Sequence, residues 1–366
     1  MADSTPIEWT DATWNPITGC TLVDQGCRHC YAARLAATRL RNHPSRQGLA
    51  RMNAVGVAQF TGEVRLNEQW LDQPLRWKRP RRIFVCAHAD LFHESVPDVW
   101  IDRVFAVMAL APQHTFQVLT KRPERMREYM TAVANHDRHI TIDDDGSKFR
   151  TPTMRHRVHR AMCDLLRKAP ASALNAASDW QEEHFPDGDG FLRCWPLPNV
   201  WLGTSVSDQT SADQRIPYLL ETRAAVRFLS AEPLLGPLDI FPYLSGPHQT
   251  AETCWEARRL NWVIVGGESG PGARPMHPDW ARSLRDQCVN SDVAFFFKQW
   301  GLWAPCEIAT PGTAPAKAID VTGRLLAKSE AIFGGQEPVE LMSPLGKSRA
   351  GRLLDGRTWD QMPGVG

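Results

Sequence analysis

The chain has 366 residues, of which 43% are hydrophobic and 23% charged, so it can bury a large core as one barrel-sized domain or two ordinary ones. Lysine and arginine number 42 against 41 acidic residues, which gives a formal net charge of +1. This balance excludes a protein that binds nucleic acid through bulk positive charge and leaves only local patches for such binding.

The cysteines indicate a reducing compartment. Nine occur, three of them within residues 20–30, and the others are isolated. An odd count without a repeated framework argues against a secreted disulfide scaffold. The chain shows no basic segment followed by an apolar one at its start, and no apolar run long enough to cross a bilayer. We therefore expect a cytoplasmic protein without a membrane partner.

Short β-branched and aromatic runs recur along the chain, and most are followed by an amphipathic segment. The predicted strands are 9–17, 63–67, 83–88, 115–120, 200–205, 225–230, 262–266 and 294–297. The predicted helices include 31–41, 99–110, 123–130 and 279–289. Such alternation is typical of parallel strands joined by crossover helices. It predicts an α/β fold, a (β/α) TIM-type barrel of six to eight parallel strands, complete or partial.

One long segment interrupts this alternation. Residues 131–197 are rich in His, Arg, Asp and Pro, with one helical pattern at 153–168 and no convincing strand. We interpret them as a mainly helical or irregular insertion within a barrel that spans residues 1–305. Residues 306–366 are expected to form a C-terminal extension that covers the barrel.

Three cysteines lie in the loop after the first predicted strand. Six residues separate Cys20 from Cys27, and Cys27 and Cys30 form a C-x-x-C pair. Such spacing lets three thiolates reach one metal centre. An iron–sulfur cluster with one open iron is favoured. Structural zinc would need a fourth ligand from elsewhere, and a redox dithiol would leave Cys20 unexplained.

Most of the other unusual polar residues follow a predicted strand, where barrels of this type place their active sites. The candidates are His88, Asp90, His93, Lys121, Ser205, Glu232, Gly266, Gly267, Glu268 and Lys298. Lys121 and Lys298 could neutralise an anionic substrate. The glutamates could instead be structural ion-pair partners of the basic residues, and the two glycines could form a simple tight turn.

Several motifs within residues 7–305 resemble those of the phage Gp37/Gp68 family, also called the DUF5131 or three-Cys-motif family. They are I-E-W-T-D at 7–11, G-C at 19–20 and 26–27, C-Y-A at 30–32, L-T-K-R-P at 119–123, L-S-A-E-P at 229–233, G-G-E-S-G-P at 266–271 and F-K-Q-W-G at 297–301. That family is in turn similar to radical S-adenosylmethionine (SAM) enzymes, in particular to the spore photoproduct lyase and DNA-repair-photolyase-like group.

The resemblance implies a cofactor set and a site. Cys20, Cys27 and Cys30 would bind a [4Fe–4S] cluster whose open iron chelates SAM, and one-electron reduction would release a 5′-deoxyadenosyl radical. The expected cofactor-binding residues are Asp90, Ser205, Gly266 and Gly267. The expected catalytic residues are Lys121, Glu232, Glu268 and Lys298.

The same resemblance suggests partners. The substrate would be an anionic small molecule or a nucleic acid, the electron donor a flavodoxin or ferredoxin, and a three-Cys-motif partner protein is possible. The loop departs from the radical SAM pattern, in which three residues separate the first two cysteines. Its G-G-E motif also follows a late strand instead of an early one, so the SAM-amino role is not assigned to Glu268.

Two other function classes remain open. One is a zinc-stabilised phage or mobile-element binding protein without catalysis. The other is a metal-dependent hydrolase or nuclease whose ligands would be Asp90, His93, Glu232 and Glu268.

Overall fold

The computed structural model describes residues 5–131, 140–142, 148–150, 154–167, 195–244, 259–308, 317–326 and 339–364. The strands in these ranges are β1 (Ala12–Trp14), β2 (Ile17–Thr18), β3 (Ala50–Met52), β4 (Ala58–Phe60), β5 (Arg65–Leu66), β6 (Arg82–Val85), β7 (Thr115–Thr120), β8 (Ile140–Ile142), β9 (Lys148–Arg150), β10 (Val200–Val206), β11 (Val226–Ala231), β12 (Trp262–Gly266), β13 (Ala294–Gln299), β14 (Ala304–Pro305), β15 (Lys317–Asp320), β16 (Leu325–Leu326) and β17 (Val339–Ser343).

The α-helices in the same ranges are α1 (Tyr31–Ala37), α2 (Glu68–Leu71), α3 (Asp98–Ala109), α4 (Pro123–Thr131), α5 (Met154–Arg167), α6 (Gln209–Glu221), α7 (Phe241–Leu244), α8 (Pro278–Asn290) and α9 (Lys347–Ala350). Short 3₁₀ turns occur at Gln25–Cys27, Gln73–Arg76 and Cys306–Ile308. The helices predicted after the cysteine loop and after three of the strands are therefore present. None of the described helices is both long and apolar enough to cross a membrane.

A parallel sheet of seven strands organises the molecule. Its order is β1, β6, β7, β10, β11, β12 and β13, which is also their order along the chain. Every neighbouring pair is parallel. This is the topology of a (β/α) barrel. Among the described residues the edge strands β1 and β13 do not pair, so the sheet is a half-barrel. The predicted α/β class is confirmed, and the strands in the described part of the chain do not make a complete barrel.

Aromatic side chains fill the inner face of this half-barrel near the amino ends of the strands. Because successive strand residues point to opposite faces, alternate positions of each strand face inward. Trp262 is fully buried there, with its ring 5.8 Å from Trp201, 5.7 Å from Phe228 and 6.0 Å from Phe296. Gly203 makes room for this layer, since a Cβ atom at that position would lie 2.6 Å from the Phe228 ring. The opposite face of the sheet packs on the helices in a second core.

One predicted strand of the barrel is wrong. Residues 63–67 do not enter the main sheet; Arg65–Leu66 forms a short strand that pairs antiparallel with β2. Asn67 explains the difference, because its backbone N–H donates to the Pro16 carbonyl at 2.7 Å and its side-chain amide donates to the Asn15 carbonyl at 3.2 Å. These bonds tie the segment to the loop after β1.

The insertion contains two strands and buried side chains that were not predicted. Its β8 and β9 pair antiparallel, contrary to the expectation of no strand. The predicted helix is present as α5, where Val158 and Met162 are buried in the helix-side core. Arg157 Nε lies 3.0 Å from the Asp102 carboxylate of α3. The rest of 131–197 up to residue 194 lies outside the described residues.

The C-terminal residues form structure of their own. β14, β17, β15 and β16 make a small antiparallel sheet. Further on, the Phe297 N–H donates to the Trp359 carbonyl at 2.9 Å, and the Phe295 N–H donates to Gln361 Oε1 at 2.9 Å. These bonds cover the outer edge of β13, which would otherwise expose unpaired backbone groups.

Candidate functional site

A cavity of about 810 Å³ opens at the carboxyl ends of the parallel strands. Its floor includes Trp9 and Phe84 from the aromatic layer. Of the residues predicted from the sequence, those that line it are Cys20, Cys27, Cys30, His88, Asp90, Lys121, Ser205, Glu232, Gly267, Glu268 and Lys298. Gly266 and His93 are not part of its lining. The half-barrel thus brings most of the predicted site to one place.

The cysteine loop is shaped by an aspartate and a glycine. Asp24 accepts a hydrogen bond from the Gly26 N–H at 2.8 Å and so begins the 3₁₀ turn that carries Cys27. Gly26 is needed for close approach, because a Cβ atom there would lie 2.1 Å from Ser207 Oγ. Cys30 is the residue that precedes α1. All three cysteines of the loop are free of disulfides.

Cationic side chains hold Asp24 in place. Arg215 Nη2 lies 2.5 Å and Lys121 Nζ 3.8 Å from Asp24 Oδ2. Burial by itself raises the pKa of Asp24, but Lys121 and Arg215 outweigh it, so the pKa lies below its ordinary value. The loop is therefore anchored through an ionised carboxylate to α6 and to the residue after β7.

Cys20 and Cys30 lie in an environment that disfavours their thiolate forms. Burial, followed by the nearby Asp90 carboxylate, raises the pKa of Cys20 to about 12, although Arg122 Nη1 lies 3.7 Å from its sulfur. Burial also raises the pKa of Cys30, against the effect of the backbone N–H groups of Ala32 and Ala33. Cys27 and Cys30 are close enough to raise the Cys20 pKa further. Thiolates at Cys20 and Cys30 would therefore be favoured by a bound cation.

The spacing of the donors bears on which cation fits. Among the described residues, no three His, Cys, Asp or Glu side chains are gathered so as to hold a single metal ion. Zinc–sulfur bonds of about 2.3 Å bring the sulfurs around one ion nearly into contact. A polynuclear cluster is a larger body, and its cysteine ligands stand farther apart. Three free thiols on one cavity wall are donors that an iron–sulfur cluster and a structural zinc ion can both use.

The carboxylate of Asp90, which was predicted to bind the cofactor, is hydrogen-bonded to other residues of the protein. Its carboxylate accepts hydrogen bonds from Thr120 Oγ1 at 2.7 Å, from the backbone N–H groups of Lys121 and Phe92 at 3.0 Å, and from Arg122 Nη1 at 3.1 Å. These bonds fix the turn that follows β7. In this arrangement Asp90 positions Lys121 and Arg122 at the cavity.

Lys121 connects the cysteine loop to the neighbouring strands. Its Nζ donates to Ser205 Oγ at 2.9 Å, and Ser205 Oγ donates to the Glu232 carbonyl at 3.2 Å. Together with the longer ion pair to Asp24, these bonds place the ammonium group between the loop and the ends of β10 and β11. Lys121 and Ser205, predicted for different roles, therefore act as one unit.

Glu232 and Lys298 form an ion pair at the cavity wall. Lys298 Nζ donates to both carboxylate oxygens at 2.8 Å, and Gln299 Nε2 donates to one of them at 3.1 Å. Gly266 leaves space for this carboxylate, since a Cβ atom there would lie 3.3 Å from it. Glu232 thus has the basic ion-pair partner that one of the sequence alternatives expected. The positive charge of Lys298 is balanced by this carboxylate.

Glu268 is likewise paired, with an arginine six residues on. Its carboxylate accepts from Arg274 Nε at 2.9 Å, from Arg274 Nη2 at 2.6 Å and from the Arg274 backbone N–H at 2.8 Å. The same Nη2 donates to the Gln25 carbonyl of the cysteine loop at 3.0 Å. Gly267 allows close backbone contact, because a Cβ atom would lie 2.0 Å from the Trp300 carbonyl oxygen. This pair therefore also contacts the cysteine loop, at the residue after Asp24.

The chain matches the family model described as a protein of unknown function (DUF5131) over residues 4–363. It belongs to the DUF5131 family. The match includes the C-terminal residues that cover β13, beyond the motifs within 7–305. No curated protein and no solved structure matches the chain.

Sequence reasoning missed several residues that build the site of this DUF5131 protein. They are Asp24, Arg46, Arg215 and Arg274. Only Asp24 had a readable signal, an aspartate two residues before a glycine, which is typical of a side-chain-capped turn. His93, by contrast, lies behind a lining residue: its Nδ1 accepts from the Ser95 N–H at 3.1 Å, and its Nε2 lies 3.0 Å from Oγ1 of Thr21, which lines the cavity.

Proposed function

We propose that this DUF5131 protein is a radical SAM-type iron–sulfur enzyme with its cluster and SAM at the mouth of the half-barrel. The observation that carries the proposal is the placement of three free cysteines on the wall of one large cavity at the carboxyl ends of parallel strands. Enzymes with parallel α/β architecture react at this end of the sheet.

The residues that would hold the cluster are Cys20, Cys27 and Cys30. The cluster would supply the electron that cleaves SAM reductively to methionine and a 5′-deoxyadenosyl radical, which takes a hydrogen atom from the substrate. The cavity has a volume within the range of small-molecule sites, so it has room for a ligand beside the loop.

The protein's own groups would orient the loop and the ligand. Asp24 with Arg215, and Glu268 with Arg274, hold the loop. Lys121 places a positive charge close enough to Cys30 to lower its pKa, which would favour an anionic centre at this position. The aromatic floor excludes water from below, as radical chemistry requires.

The other two function classes have less support. The four carboxylate and imidazole groups expected of a metal-dependent hydrolase each bind a different partner within the protein, and they are not gathered as ligands of one ion. A zinc-stabilised binding protein would use the same cysteines, so it becomes an outcome of the test.

The test is anaerobic reconstitution of the full chain with iron and sulfide. We expect close to four iron atoms per chain, a broad absorption near 400 nm typical of [4Fe–4S] clusters, and 5′-deoxyadenosine after addition of SAM and dithionite. Cys27→Ala should lose the cluster. Cys306→Ala is the matched control, because Cys306 is also free but lies outside the cavity lining, and it should keep full iron content.

The outcomes separate the alternatives. A colourless protein with one zinc per chain, lost in Cys27→Ala, would replace the proposal with a zinc-stabilised binding protein. A cluster that forms without release of 5′-deoxyadenosine would leave a redox or structural cluster and contradict the enzymatic part.

A further inference from the structure

A buried arginine lines the cavity without an acidic partner. Arg46 is only 4% exposed, yet among the described residues no carboxylate forms an ion pair with it. Its Nε donates to His88 Nδ1 at 3.2 Å, and its Nη1 donates to Ser45 Oγ at 2.6 Å. Within the described part of the chain, Nη2 makes no hydrogen bond. A buried guanidinium with neutral partners only carries a large desolvation cost.

The other cations at the cavity behave differently. Lys298 is paired with Glu232, Arg122 with Asp90 and Glu94, and Lys347 with Glu8. Lys121 lies 3.8 Å from Asp24. Arg39 also lines the cavity without an acidic partner in the described part of the chain, but it is exposed to water. Among the described residues, Arg46 is therefore the buried cation of the cavity that has no acidic partner.

His88 extends the same surface with a neutral donor. Because the arginine can only donate, His88 Nδ1 must accept, and the ring proton of the neutral imidazole is on Nε2. Burial, and then the Arg46 charge, lowers the pKa of His88 to about 4, so the ring stays neutral near pH 7. His88 also lines the cavity.

Arg46 is held in one orientation before any ligand binds. Its guanidinium lies 5.8 Å from the centroid of the Trp70 ring, with Ser45 on one nitrogen and His88 on another. A planar guanidinium fixed in this way is suited to carboxylate or phosphate oxygens.

We propose that Arg46, with His88, forms a subsite for an oxyanion of the substrate, a carboxylate or a phosphate. The subsite lies beside the cysteine loop, since the His88 ring is 6.0 Å from that of Tyr31, the residue after Cys30. Anion binding was expected of Lys121 and Lys298. We assign it instead to Arg46, which belongs to none of the sequence motifs. The identification of the ligand as a substrate rests on the proposed function; the oxyanion subsite itself does not.

The test measures anion-dependent stabilisation of the full chain isolated without added iron. Inorganic phosphate and, separately, acetate are titrated at constant ionic strength kept with sodium chloride, and the unfolding temperature is followed. We expect saturable stabilisation by at least one of them, and the stronger response identifies phosphate or carboxylate. Arg46→Gln should weaken the apparent affinity at least tenfold. Arg41→Gln removes an exposed arginine of the same segment outside the cavity lining and should respond like wild type.

A second readout separates binding from a structural role. Without added anion, Arg46→Gln should be at least as stable as wild type, because an uncompensated buried charge has been removed. Should Arg46→Gln fail to fold, Arg46→Lys retains the charge but not the planar geometry and should bind the anion several-fold more weakly. A response that persists unchanged in the folded variants, or no response in wild type, would overturn the subsite.

The two proposals can be contradicted independently of each other. If no cluster forms but the phosphate or acetate response depends on Arg46, the radical SAM proposal falls and the subsite stands. If a cluster forms and SAM is cleaved but the anion response does not depend on Arg46, the subsite alone falls.

Discussion

The inner face of the half-barrel carries two contrasting layers on the same strands. Near their amino ends, Trp201, Phe228 and Trp262 pack ring against ring. A few residues further along the same strands, Ser205 and Glu232 reach the cavity. The strands supply most of the aromatic layer, because apolar rings can pack on each other; Trp9, before β1, adds one ring, and Trp262 Nε1 donates to the Gln361 carbonyl at 2.9 Å. The polar layer depends on loops, since each buried charge requires a partner delivered from another segment.

The aromatic layer should respond most strongly to mutation. Trp262→Ala removes the ring that touches three neighbouring strands, and we expect the free energy of unfolding to fall by about 3–5 kcal/mol. Urea denaturation of the full chain measures it. Phe241→Ala, at a side chain that is 49% exposed, is the control and should change stability by less than about 1 kcal/mol. Equal losses in the two variants would show that the layer is not the stabilising core.

Mutations in the polar layer should lower the free energy of unfolding less, and their effect should depend on the ion pair. Glu232→Gln leaves Lys298 without a carboxylate, and we expect a loss of about 1–2 kcal/mol, because both side chains retain some exposure. The double variant Glu232→Gln, Lys298→Met should recover part of it. Asp72→Asn, which breaks an exposed pair with Arg76, is the matched control and should cost under about 0.5 kcal/mol. Additive losses in the double variant would contradict the pairing.

The smallest expected effect lies at the opposite end of the sheet. The hydrogen bond from Arg82 is the main cause that lowers the pKa of Asp11. A lowered carboxyl pKa stabilises the fold above the unfolded value near 4, and this stability is lost as the pH falls through the folded pKa.

Asp11→Asn should therefore cost about 0.5–1 kcal/mol at pH 7, since the pair is well exposed. The difference from wild type should disappear near pH 2, as measured by urea denaturation at both values. A difference that is constant with pH would assign it to packing instead of charge.

The sequence predicted what depends on local pattern. Alternation and apolar runs located every strand of the main sheet, and the positions after those strands located the cavity residues from Asp90 to Lys298. Segment 63–67 was misassigned because its pairing is decided by Asn67 contacting residues some fifty positions earlier. That kind of contact leaves no periodic signal.

The pairing of charged side chains was the other feature that the sequence could not predict. Glu232 and Lys298 are 66 residues apart, and the sequence left open whether each was a ligand or a partner. Arg46 stands in a segment without a motif, and its proposed role rests on the lack of an acidic partner among the described residues. A missing counterion can be recognised only when the neighbours in space are known.

The C-terminal contacts with β13 also bear on how the protein is made. During translation, β13 leaves the ribosome well before residues 359–361, whose backbone and side-chain groups later cover its edge. Until then the nascent sheet exposes a hydrophobic edge of three consecutive phenylalanines, Phe295–Phe297, to other chains. Recombinant expression should therefore be sensitive to truncation before residue 359.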